Sequence, residues 1–242
     1  MGNALLPNRW KILSGSALKL IAAAAMLIDH FAYTLAPEIQ WMYAPLFTVA
    51  SKQITLFYLM RRIGRIAFPI FCFLISEGFS HTRNQKRYAY NLLLFALISE
   101  IPFNLMTSGR FWNIKAQNVF FTLFLGVLMM YILENMKSKP CKAFALVSVA
   151  AVASVLKADY GIWGALLILM LYVFKEKPIA QVILAFPLLS GVFAAWAAFI
   201  PINMYNGKRG FISSGIMKYF FYFFYPVHII VLVLIKVILI NK

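Results

Sequence analysis

Asp29 and His30 stand side by side inside the apolar run "LIAAAAMLIDHFAYTL". A charge at mid-bilayer costs roughly 2.5–3.5 kcal/mol, so ionisable groups in such a run are functional candidates by default. Imidazole is the usual general base near neutral pH, because its ordinary pKa lies close to it. Adjacent helical residues diverge by about 100°, so Asp29 and His30 cannot point the same way. One can face a cavity while the other braces a neighbouring helix. Lys19 precedes His30 by 11 residues, close to three turns, which places both on one stripe about 16 Å apart. A cation at the inner end and an imidazole deeper in suit a long anionic ligand entering from the cytoplasm.

Arg65, Glu77, Glu100 and His228 also fall within apolar stretches, and Asp159 falls at a helix end. A rise of about 1.5 Å per residue puts His30 about 21 Å and Glu100 about 18 Å from the inner ends of their helices. It puts His228 about 16 Å from the outer end, with Arg65 at the outer boundary. These groups are expected to share a wet pocket centred on His30. There Asp29 or Glu100 would orient the imidazole and Arg65 would stabilise developing negative charge. The plainer alternatives are a packing role for His30, simple pairing of Asp29 with Arg65, and service by His228 to the kink at Pro226. The aromatic run 219–225, which ends in Tyr225, reads as interface belt or as part of an acceptor contact.

Two basic stretches add candidates. "YNGKRG", residues 205–210, sets Lys208 and Arg209 between glycines that let backbone approach an anion, a carboxylate or phosphate of an acceptor. "EGFSHTRNQKRY", residues 77–88, offers Arg83, Lys86 and Arg87, with Lys19, to a nucleotide-bearing donor at the cytoplasmic mouth. Either stretch can also be a solvated turn.

The elements that must carry these groups are membrane helices. The chain is 63% hydrophobic and 12% charged, with mean hydropathy +0.81; soluble domains average about 25% charged residues. An all-α, polytopic integral membrane bundle follows. About eight spans are expected, at 16–35, 63–80, 88–107, 118–136, 143–157, 161–175, 178–200 and 217–239. A ninth is conceivable at 41–60, where the central "SKQ" argues instead for an interfacial segment or outer-side insertion over 36–60. No repeat or linker divides residues 1–242, so one transmembrane domain is expected.

Arg9, Lys11 and Lys19 favour a cytoplasmic N-terminus, and with eight spans "YNGKRG" falls outside. The net charge of +16 sits in short clusters between apolar runs, a pattern of loops facing anionic headgroups rather than nucleic acid. Cys72 and Cys141 signal neither a disulfide framework nor a metal site, and no cleavable signal peptide is expected.

"LKLIAAAAMLIDHF", "GRIAFPIFCFLISEGFSHTRN", "ALISEIPFNL", "QNVFFTLFLG", "DYGIWG", "YNGKRG" and "KYFFYFFYPVH" occur in that order. Together, over about residues 16–235, they resemble the TraX family of bacterial membrane proteins. That resemblance implies a protein of the cytoplasmic (inner) membrane, associated with acetylating the N-terminal amine of conjugative pilin. TraX is in turn remotely similar to the acyltransferase family three enzymes, which take acetyl groups from cytoplasmic acetyl-CoA. In those enzymes a basic residue precedes the histidine of acyl transfer by eleven positions. Lys19 and His30 match that spacing, with Lys in place of the more usual Arg, so the resemblance implies His30 as the catalytic residue. "RRIGR" matches the TraX entry to the second span and supports Arg65. The 36–60 insertion departs from the shortest family members. TraX-like chains also occur outside conjugation, so the acceptor is a pilin-like peptide or an envelope polysaccharide. Two other classes compete: a proton-coupled transporter and a non-enzymatic pilus assembly factor.

Overall fold

The structure is a computed structural model in which residues 5–190, 192–212 and 215–241 are described, the side chains of 8 and 215–218 excepted. The ends of the expected single unit, 1–4 and 242, lie outside the described residues. Helix dominates, as the apolar runs require. Ser14 starts α1 (Gly15–Leu35), its side chain accepting from the Ala17 amide at 3.2 Å. After two 3-10 turns come β1 (Pro45–Val49) and β2 (Lys52–Thr55), an antiparallel hairpin pairing Phe47 with Ile54 and Val49 with Lys52. Its turn residues Ala50 and Ser51 both have positive φ, the conformation a two-residue hairpin turn demands. Residues 41–60 are therefore not a spanning helix. The polar "SKQ" runs from the turn at Ser51 into β2, and Thr55 caps a new helix by accepting from the Tyr58 amide at 3.1 Å.

That helix, α2 (Leu56–Gly64), runs after a break at Arg65–Ile66 into α3 (Ala67–His81). Arg65 thus sits in the middle of a broken 56–81 segment, not at a boundary. Next come α4 (Gln85–Ser108), α5 (Val119–Asn135), α6 (Lys139–Val155) and α7 (Gly161–Val173). The expected 178–200 span is broken into α8 (Pro178–Leu188), α9 (Phe193–Trp196) and α10 (Phe199–Asn203), with Pro187 and a positive φ at Ser190 near the first break. The last helix is α11 (Gly215–Ile240).

Among the described residues, four segments are long and apolar enough to cross a membrane: Gly15–Glu38, Leu56–His81, Gln85–Ser108 and Tyr219–Ile240. The remaining apolar helices are shorter, so the eight-span expectation is met only in part.

The core forms where α3, α5 and α7 meet, around Phe68, Leu123, Val127, Leu167 and Ile168. Glycines let these helices close up. A Cβ on Gly164 would collide with Thr122 and Phe68, and one on Gly126 with Ile168.

Two contacts fix the direction of the ends. His30, in the second half of α1, meets His228 near the middle of α11, and Glu38 meets Lys236 at 3.8 Å beyond the last turn of α1. The two helices therefore run the same way, and the chain traverses the bundle an odd number of times. The even count expected from eight spans fails here, and with it the outer placement of "YNGKRG". That loop lies against the start of α1: Leu13 donates to the Met204 carbonyl at 2.9 Å, Gly15 to that of Lys208 at 2.8 Å and Ser16 to that of Arg209 at 2.9 Å. Glu134 receives bonds from Gln85 and Tyr172, which joins the start of α4 to the ends of α5 and α7. The basic stretches 83–87, 137–142, 175–177 and 205–210 consequently gather at one end of the bundle, with the start of α1.

Candidate functional site

A cavity of about 860 Å³ runs between α1, α3, α4, α5 and α11. Gly15, Lys19, Met26, Asp29, His30 and Tyr33 line it along α1, a distance of about 27 Å at 1.5 Å per residue. It therefore extends from the basic end of the bundle nearly to the opposite end, and His30 lies deep within it.

His30 Nδ1 is 2.7 Å from His228 Nε2, and His228 Nδ1 is 2.6 Å from the Phe224 carbonyl oxygen. A carbonyl can only accept, so His228 Nδ1 carries a proton. With both rings neutral, His228 Nε2 then has a lone pair and His30 Nδ1 must be the donor. His30 Nε2 is left unprotonated as the ring nitrogen available to the cavity. His228 is 7% exposed and lies behind His30, not on the cavity wall. Its carbonyl partner is one turn back at Phe224. Pro226 frees a different carbonyl, that of Tyr222, so His228 does not serve the proline kink. Tyr225 packs its edge against both imidazoles, with ring centroids 5.8 Å from each, and reaches the Val119 backbone amide.

Asp29 diverges from His30 as helical geometry requires. It pairs with Arg61, one turn before Arg65, and Gly64 leaves the space that the Asp29 side chain fills. Arg61 in turn lies over the Tyr33 ring, 5.1 Å from its centroid. Arg65 hydrogen-bonds Tyr160 and lies within electrostatic range of Asp29 and Asp159. The pairing expected between Asp29 and Arg65 is thus replaced by two neighbouring couples. Spacing carried this signal in part: Arg61 and Arg65 are four residues apart and share a helix face.

The loop between α6 and α7 brings Asp159 and Tyr160 into the cavity wall. Lys157, Tyr160 and Gly161 all have positive φ, a strained conformation for the first two. The loop is held by a Gln117 amide bond to the Lys157 carbonyl at 3.1 Å, an Asp159 amide bond to the Gln117 carbonyl at 2.9 Å, and Thr122 bonding the Asp159 carbonyl. Tyr160 stacks on Phe68 with centroids 3.6 Å apart. Asp159 is deep in the fold yet open to the cavity. Burial pushes its carboxyl up to about 6, against the pull of Arg65.

Other candidates separate. Lys19, Arg83 and Arg209 line the cavity at its basic end, whereas Lys86, Arg87 and Lys208 do not. Glu100 is also outside the cavity and does not orient His30. It accepts from Asn118 Nδ2 at 2.6 Å, beside the start of α5, where a negative charge complements the helix dipole. Among the described residues no group of three His, Cys, Asp or Glu side chains is placed to hold a metal ion.

The model of the family described as "TraX protein" matches residues 14–236. The chain belongs to the TraX family. A relative in Dichelobacter nodosus, "Probable fimbrial assembly protein FimC, serogroup H1", is 31% identical over 248 residues, covering 90% of this TraX chain and 94% of the relative. "Uncharacterized protein RP591" of Rickettsia prowazekii (strain Madrid E) is 27% identical over 118 residues, covering 49% of this chain and 37% of its own length. No solved structure matches. Family membership and the names of these relatives are what the similarities give. They carry no statement of catalysis or of similarity to acyltransferase family three.

The hydrogen-bond order makes both deep histidines Nδ1–H tautomers, so 15N NMR of histidine-labelled protein is expected to show Nε2 unprotonated in each. His228→Phe should restore tautomer mixing at His30, and an Nε2–H signal at His30 in the wild type would contradict the assignment. For Asp159 the native carboxyl binds its proton more tightly than the unfolded one, so it subtracts stability as pH rises from about 4 through about 6. Asp159→Asn is therefore expected to raise Tm more at pH 7 than at pH 4, read by thermal unfolding in detergent.

Proposed function

We propose that this TraX chain is a membrane acetyltransferase that moves an acetyl group from acetyl-CoA to an amine or hydroxyl of a pilin-like peptide or envelope acceptor. The observation that carries the reading is the imidazole pair. His30 presents an unprotonated Nε2 to a long cavity while its other nitrogen is held by His228. The acceptor N–H or O–H attacks the thioester carbonyl, and a C–N or C–O bond forms. Nε2 of His30 takes the acceptor's proton; the C–S bond breaks, and the proton is returned to the departing thiolate. Arg65 lines the cavity, is hydrogen-bonded to Tyr160, and stabilises charge on the carbonyl oxygen. His228 and its Phe224 carbonyl hold the ring in the base-competent tautomer.

The same geometry supports an orientation. Cytoplasmic loops carry an excess of Lys and Arg, and the basic stretches gather with the start of α1. That end faces the cytoplasm in our reading, with the N-terminus and the donor side of the cavity. A non-catalytic role in fimbrial assembly is the second reading, favoured by the name of the D. nodosus relative.

His30→Ala should lower acetyl transfer from labelled acetyl-CoA by about 10²–10⁴-fold, the usual contribution of a general base, without loss of membrane insertion. His228→Phe should fall between that variant and the wild type. Undiminished transfer in His30→Ala removes the base, and absence of transfer in the wild type with every candidate acceptor favours the assembly role. Orientation is read separately. Exposed Cys141 at the basic end should resist an impermeant maleimide in intact cells, whereas Phe111→Cys at the other end should label.

A further inference from the structure

The basic end of the cavity holds groups that the chemistry at His30 does not use. Lys19 of α1, Arg83 before α4 and Arg209 before α11 are far apart in sequence yet line one mouth. The loop that carries Arg209 is fixed through its backbone. The Arg209 carbonyl accepts from the Ser16 amide at 2.9 Å and the Ser16 hydroxyl at 2.8 Å, and that hydroxyl accepts from Ile212 at 2.8 Å. Gly210, at φ +84°, has no room for a Cβ against Ser14 and Ser16. The loop therefore cannot retreat from α1, while its guanidinium remains free to face the opening. The acidic side chain at this mouth is Glu77, already engaged by His81 at 3.6 Å and by the Tyr205 hydroxyl.

We propose that this mouth is a phosphate clamp, in which Arg83 and Arg209, with Lys19 below them, hold the phosphates of a nucleotide-type headgroup. Arginine suits such a ligand because its planar fork bonds phosphate oxygens in pairs. The reach to the base supports the assignment. Lys19 and His30 are about 16 Å apart along α1, and an extended chain advances roughly 3.5 Å for every three backbone bonds. The gap needs an arm of about 14 bonds, which matches a phosphopantetheine arm from its phosphorus to the thioester carbon. The arm rests on the acyl-transfer reading; the clamp itself does not. Headgroups of anionic lipids carry the same phosphate chemistry, so the test must separate the two sources.

Full-length protein purified in detergent is titrated calorimetrically with coenzyme A, adenosine 3′,5′-bisphosphate, pantetheine and phosphatidylglycerol. Coenzyme A and the bisphosphate are expected to bind, with pantetheine at least tenfold weaker. Arg83→Ala and Arg209→Ala should each weaken coenzyme A by about tenfold, with Arg209→Lys in between. Lys86→Ala and Arg87→Ala, whose side chains lie outside the cavity, should change it less than twofold. Equal binding of pantetheine and coenzyme A, or wild-type affinity in both arginine variants while they remain monodisperse, overturns the clamp. Phosphatidylglycerol binding that depends on both arginines, without any coenzyme A binding, overturns the nucleotide source. Coenzyme A binding lost in the arginine variants upholds the clamp even where no acetyl transfer is found, a result that would sink only the catalytic reading.

Discussion

A buried imidazole in lipid must find a partner, and here one carbonyl settles the matter for two of them. The Phe224 oxygen can accept but never donate, so it dictates the proton on His228, and His228 dictates the proton on His30. That order holds only if α1 and α11 stay parallel and in register to within a fraction of an ångström, because a hydrogen bond weakens steeply with distance and angle. The latch of residues 205–210 onto residues 13–16 sets that register at one end, and the Glu38–Lys236 contact sets it at the other. The loop motif and His30 are thus parts of one device, although about 175 residues of chain separate them.

The same cavity explains why so many charges are tolerated. Asp29 and Arg61 form a pair, Arg65 leans on Tyr160, and Asp159 opens onto the space between them. A closed, dry interior would make each of these costly, whereas a roomy polar cavity leaves their unpaired edges to solvent or ligand. The strained 157–161 loop fits this picture. Its positive-φ residues destabilise the backbone, and the parallel bridge to Gln117 and the Tyr160–Phe68 stack offset that cost while holding a carboxylate and a phenol at the site.

Much of the bundle was legible. Seven of the expected helices lie within a few residues of observed ones, because apolar length and capping residues such as Ser14 and Asn118 are local signals. At 41–60 the polar "SKQ" rightly argued against a spanning helix, though the hairpin itself, whose turn needs positive φ, was not legible. The 178–200 span misled because continuous hydropathy hid a chain reversal. Candidate residues were legible as types but not as partners. His30 and Asp29 stood out because they are polar in an apolar run. That His228 and not Glu100 would hold His30 depends on which helices pack together. Arg83 and Arg87, four residues apart, part company in the same way, since only packing decides which of them meets the cavity.

The imidazole pair also bears on the choice between a base and a proton wire. A wire needs groups that can both take and give a proton at every step, so that charge can enter at one face and leave at the other. The chain here is two imidazoles long and stops at a backbone carbonyl, which cannot pass a proton onward. Such a dead end fixes a tautomer; it does not conduct. It favours a proton that is borrowed at His30 Nε2 and returned within the same cavity, as group transfer requires, over one carried across the membrane.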